Sequence, residues 1–131
     1  MSEASLQPVG RTALIADDSV AVRRLVSARL RRDGYSIREA ADGHAALEEV
    51  EREPPDVLIV DDVLPGLSGV EVVEGLRARG LGDSVRVALL IEYSSGLRRA
   101  ALVGLPVSSV IRKPFDLDRF ADRIERIAAT G

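Results

Sequence analysis

Cysteine is absent from this chain of 131 residues, and histidine and lysine each occur once. The lack of cysteine removes disulfides, thiolate nucleophiles and zinc–thiolate sites together. With His44 as the one imidazole, a histidine-rich metal site is excluded, and a serine–histidine triad would have to use that residue. His44 reads instead as an exposed residue at a helix start, and no role is assigned to it. No apolar run approaches the ~18 residues of a membrane span. The opening segment MSEASLQPVG lacks the basic start and apolar stretch of a secretory leader. A soluble, cytoplasmic protein without a membrane partner is therefore expected. A basic excess is missing too, and the net charge of −3 argues against a nucleic-acid partner.

Apolar residues make up 46% of the chain, enough to bury a sizeable core, and the length suits one domain. Residues 1–10 are expected to be a disordered or extended segment, and residues 11–131 a single domain with no appended output module. The basic residues are seventeen arginines and one lysine, Lys113. Arg and Lys are not interchangeable at an ion-binding site, so the position of that lysine matters. The arginine-rich stretch 23–32 reads as a solvated helix face.

Apolar runs alternate with helical periodicity five times. Residues 12–16 (TALIA) form a buried strand that stops at Asp17-Asp18-Ser19. Ser19 is a plausible N-cap for a helix to about Arg32, with Val22, Leu25, Val26 and Leu30 at helical spacing. A strand at 35–40 and a helix at 44–52 follow. Pro54-Pro55 blocks that helix and leads into a strand at 56–60, which ends at Asp61. After the loop 65–69 come a helix near 70–79 and a strand at 85–91. A short helical stretch near 96–103, a strand at 107–111 and an amphipathic helix at 115–129 complete the chain. Leu117, Phe120, Ile124 and Ile127 share one face of that last helix. Strands of continuous apolar character alternating with helices predict an α/β fold whose parallel sheet has helices on both faces.

Ligands of doubly wound sheets bind beyond the carboxyl ends of the strands. The unusual charges fall there: Asp17-Asp18 after the first strand, Asp61-Asp62 after the third, Lys113 after the fifth. Crowded carboxylates repel unless something positive binds between them. Mg²⁺ meets that need as a hard ion taking carboxylate, carbonyl, water and phosphate oxygens. A lysine at the same edge can neutralise a phosphoryl group, and an aspartate can accept one as an acyl phosphate. Each pair alone is an ordinary cap or strand exit; their joint arrival from three strands is what points to a site.

The runs ALIADDS, DVLIVDDVLPGLSG and VIRKPF resemble, in order and separation, the three signature segments of bacterial response-regulator receiver domains, over about residues 11–129. The resemblance implies a five-stranded, doubly wound sheet of flavodoxin-like strand order 2-1-3-4-5. It implies Asp61 as phosphoacceptor and metal ligand, Asp18 as a direct Mg²⁺ ligand, Asp17 acting through water, and Val63 contributing a backbone carbonyl. Lys113 would pair with the phosphate, sharing the catalytic work with Asp61, and the bond before Pro114 would be cis. The donor would be a sensor histidine kinase or phosphotransfer protein, or a small molecule such as acetyl phosphate. The output would be contact with a downstream protein target. Such a protein catalyses its own phosphorylation and is not an enzyme acting on a separate substrate.

Departures from the family pattern cluster at the fourth and fifth strands. The hydroxyl expected at the end of strand four is replaced by Ile91 or Glu92, and the aromatic expected three residues before the lysine is Val110. Ser94 or Ser95 reaches in only if the strand end is remodelled. Glu92 either points inward, opposing or mimicking a phosphoryl group, or faces solvent. The fourth helix should be abbreviated or shifted. These departures favour an alternative, a degenerate receiver acting as a phosphorylation-independent interaction module. A hydrolase with an aspartate nucleophile needs a second acid two residues on, where Val63 stands.

Overall fold

A computed structural model describes residues 11–92 and 95–130. The segment expected to be disordered or extended (1–10), and the switch candidates Tyr93 and Ser94, lie outside the described residues. The apolar runs become β1 (Thr12–Ala16), β3 (Val57–Asp61) and β4 (Arg86–Glu92). Their side chains are buried on both faces, so no polar alternation is needed. The edges carry the mixed sequences: β2 (Ser36–Ala40) is SIREA and β5 (Ser109–Lys113) is SVIRK. All pairings are parallel, in the order β2-β1-β3-β4-β5.

Among the described residues four α-helices cover the sheet: α1 (Val20–Arg32), α2 (Gly43–Arg52), α3 (Gly69–Ala78) and α4 (Leu117–Ala129). Each begins where a side chain satisfies orphan backbone donors. Ser19 accepts from the Val22 N–H at 3.2 Å, Asp42 from Ala45 at 2.7 Å, and Asp116 from Arg119 at 2.9 Å. Ser68 and Glu71 form a reciprocal capping box. Strand alternation divides the core into two clusters. Leu14, Leu58, Leu89 and Ile91 pack with Leu47, Val50, Val72 and Leu76 of α2 and α3. Ile15, Ile59, Leu90 and Ile111 pack with Val26, Leu30, Phe120 and Ile124 of α1 and α4.

Three expectations need correction. Leu25, placed with the apolar stripe of α1, is 56% exposed, and Ser27 is buried instead. The stretch near 96–103 is helical only at Arg99–Leu102, a single turn of 3₁₀ helix. Gly96 and Gly104 bracket too few residues to repay the cost of helix nucleation. The fifth strand lies two residues later than the apolar run 107–111 suggested. Parallel pairing from Ala88↔Ser109 to Glu92↔Lys113 fixes its register, and an edge strand needs only Ile111 fully buried.

Candidate functional site

The carboxyl ends of β1, β3 and β5 meet at one edge of the sheet. Asp17 follows β1, while Asp61 and Lys113 are the last residues of β3 and β5. Asp17 and Asp61 are both buried. Between them lies the Lys113 ammonium, donating to Asp17 Oδ2 at 2.8 Å and to Asp61 Oδ2 at 2.6 Å. The second oxygen of each acid is held by local backbone. Asp17 Oδ1 accepts from the Ser19 N–H at 2.9 Å and Asp61 Oδ1 from the Val63 N–H at 3.2 Å.

Burial pushes the Asp61 carboxyl above its ordinary range, against the downward pull of Lys113 and the Val63 N–H. Burial alone would lower Lys113, but its hydrogen bonds to Asp17 and Asp61 outweigh that and raise it. Asp18 is exposed, yet one of its oxygens lies with those of Asp17 and Asp61 inside a 4.8 Å group. Three carboxylates so close require positive charge among them, and one ammonium already bridges two. The donor set is all oxygen, which suits a hard divalent cation such as Mg²⁺ rather than a thiophilic metal.

Loop 62–69 roofs this edge, and glycine lets it lie close. A Cβ on Gly69 would stand 2.5 Å from the Asp61 carbonyl oxygen, which is backbone and has no room to yield. Gly69 donates to the Asp62 carbonyl at 2.9 Å, and Gly66 turns the loop with φ of 79°. Val63 is exposed at the rim of the pocket. The Lys113–Pro114 bond is cis.

Ile91 is buried in the core, packed beside Val110, and Glu92 faces solvent although it pairs in register with Lys113. Alternation commits Ile91 to the α2/α3 side of the core, and Glu92 is exposed at the strand end. The Ser95 hydroxyl accepts from the Leu97 N–H at 3.0 Å, within its own loop and not at the carboxylates. Sequence reasoning missed Arg23, taken as part of a solvated helix face. It donates to the Asp17 carbonyl at 2.6 Å and to Glu39 at 3.1 Å, tying the acidic loop to α1 and β2. Nothing in the sequence distinguished it from its arginine neighbours.

Comparison with known proteins agrees with this geometry. The family model of the response regulator receiver domain matches residues 13–125. The chain belongs to that family. Response regulator MprA of Mycobacterium leprae is 36% identical over 114 residues, covering 87% of this chain and 49% of that protein. Sporulation initiation phosphotransferase F of Bacillus subtilis is 29% identical over 113 residues, covering 86% of this chain and 90% of that protein. The response regulator TrrA of Thermotoga maritima, solved in complex with Mg²⁺–BeF, superposes with a TM-score of 0.78 at 26% identity, covering 89% and 98% of the two chains. This receiver chain thus spans about half the length of MprA and nearly all of the phosphotransferase. It is a receiver domain of two-component response regulators, with a parallel 2-1-3-4-5 sheet and an acidic pocket at the strand ends. Among the described residues no helix is long and apolar enough to cross a membrane.

Proposed function

We propose that this receiver accepts a phosphoryl group on Asp61 with Mg²⁺ bound, and passes the signal on through protein–protein contact as a cytoplasmic single-domain regulator. The observation that carries this reading is the Lys113 ammonium held between the buried carboxylates of Asp17 and Asp61, with Asp18 beside them. The Mg²⁺–BeF complex of the related TrrA supports the choice of metal. Asp18 and Asp61, with the Val63 carbonyl, are the groups that would hold the ion, and Asp17 would act through water. A bound Mg²⁺ supplies charge neutralisation on the phosphoryl oxygens.

The chain's own residues do the rest. An oxygen of Asp61 attacks phosphorus as the P–N bond of a donor phosphohistidine breaks, and the imidazole leaves with the bonding electrons. The phosphohistidine belongs to a sensor kinase or phosphotransfer protein, a role consistent with the phosphotransferase relative. Lys113, released from one carboxylate, meets the charge of the phosphoryl group. Burial of Asp61 keeps bulk water from its acyl phosphate. The chain acts on itself and on no separate substrate.

Intact-mass measurement after incubation with acetyl phosphate and Mg²⁺ tests the reading. One added phosphoryl mass is expected, and none when a chelator is present from the start of the incubation. An unchanged mass supports a phosphorylation-independent interaction module instead. That second reading is favoured by one observation: the end of β4 offers buried Ile91 and outward Glu92 where a hydroxyl would contact the phosphoryl group.

A further inference from the structure

Of the three clustered carboxylates, only that of Asp18 has no hydrogen-bond or ion-pair partner among the described residues. Asp17 and Asp61 are held at both oxygens, by Lys113 and by backbone N–H groups. The place of the Asp18 carboxylate is therefore set by its backbone, and a single residue, Arg23, grips that backbone on both sides. The Arg23 guanidinium donates from Nη1 to the Asp17 carbonyl at 2.6 Å, and the Arg23 N–H donates to the Ser19 carbonyl at 3.0 Å. The Asp17 N–H is fixed in turn on the Ala40 carbonyl at 3.2 Å. A peptide unit is planar, so holding the Asp17 oxygen fixes the plane from which Asp18 departs.

A bare guanidinium beside this loop would repel a divalent ion. Glu39 removes that obstacle, its carboxylate accepting from Arg23 Nε at 3.1 Å. The two side chains are only 15% and 34% exposed, so their attraction is little screened. The planar fork serves carbonyl and carboxylate at once, from Nη1 and Nε, while the pair carries no net charge. Arg24, the next residue, is exposed and makes no ion pair among the described residues.

We propose that Arg23 is a positioning residue for the divalent ion: it presents the Asp18 carboxylate to the metal, and Glu39 cancels the charge that would oppose it. The proposal rests on the reading above that Asp18 and Asp61 hold Mg²⁺. Groups that orient a metal ligand from behind typically carry about 10–100-fold in metal affinity.

The test titrates Mg²⁺ into the whole chain, first freed of metal by chelation, and follows the amide NMR shifts of Asp61–Val63. Arg23→Ala should weaken binding about tenfold or more. Arg23→Lys keeps a donor for the Asp17 carbonyl and should recover part of the loss. Glu39→Gln should also weaken binding, by an amount that shrinks as salt screens the unmasked guanidinium. Arg24→Ala should bind as the parent does. In an Asp18→Ala background Arg23→Ala should add almost nothing, because the ligand that it positions is gone. Metal-free thermal melts show which variants are folded at the temperature of titration. Full additivity with Asp18→Ala would make Arg23 a structural brace alone and overturn the proposal. So would parent-like affinity in Arg23→Ala or, should that variant not fold, in both Arg23→Lys and Glu39→Gln. Parent-like affinity in Asp18→Ala itself is a separate failure: it removes the metal assignment, and the proposal falls with it.

Discussion

Lys113 pairs with two buried carboxylates, and both depend on it for positive charge. Removing one member of a buried charge network leaves the remainder desolvated and unpaired, at a cost of about 3–5 kcal/mol. Lys113→Met keeps the side-chain volume and deletes the charge, so its melting temperature should fall sharply in metal-free buffer at neutral pH. Mg²⁺ should then restore stability more in the variant than in the parent, since the ammonium no longer competes for Asp17 and Asp61. Thermal melts with and without Mg²⁺ make the comparison, and an undiminished melting temperature in metal-free Lys113→Met would show that the bridge is idle. The neighbouring acids have different standing. Asp61 closes β3 with its carboxylate in the buried cluster. The N–H of Asp62 continues the ladder to the Leu90 carbonyl at 2.8 Å, so alternation turns its side chain to the other face. Asp61→Asn should abolish the phosphoryl mass and Asp62→Asn should keep it. Labelling that survives in Asp61→Asn moves the acceptor, most simply to Asp62.

At the scale of elements, the sequence made legible what depends on local patterning. Apolar runs identify β1, β3 and β4 because both of their faces are covered, and the chain alternates with helices started by side-chain caps. The acidic ends of β1 and β3 and the lysine of β5 are legible for the same reason: a doubly wound sheet delivers strand ends to one edge. The register of β5 is not local. It follows β4, which draws Arg112 and Lys113 into the strand and leaves Val107 outside. Nor is the tie between distant elements readable from composition. Tyr35, just before β2, donates its hydroxyl to Glu125 of α4 at 3.0 Å, and Arg11 donates to the same carboxylate at 2.6 Å. Burial, with the nearby Glu125 charge, pushes the Tyr35 phenol up to about 12, partly opposed by Arg11. The unfolded chain ionises tyrosine near pH ~10. Below that value the contribution of Tyr35 to stability is constant. As the pH rises from about 10 to about 12 the unfolded state loses its proton first, and stability falls. Tyr35→Phe should be flatter over that window in urea midpoints measured against pH, and identical slopes would remove Tyr35 as the cause.

At the scale of the whole molecule, the question is whether an event at Asp61 reaches the face around β4 and β5. A ligand shifts a two-state equilibrium only through contacts that differ between the states. A hydroxyl at the end of β4 would provide one, and an aromatic on β5 would fill the space that it vacates. Ile91 has no donor and is already committed to the core, Glu92 faces solvent, and Val110 packs as a small member of the same cluster. The missing hydrogen bond to a charged group is worth about 1.5–3 kcal/mol, enough to change a switching equilibrium by about tenfold or more. Beryllofluoride bound at Asp61, standing in for the phosphoryl group, should therefore protect loop 62–69 while residues 95–111 change little in hydrogen exchange. Large, cooperative protection extending to Arg99–Leu102 would contradict this. It would mean that the single turn Arg99–Leu102 answers to Asp61 through a relay of its own.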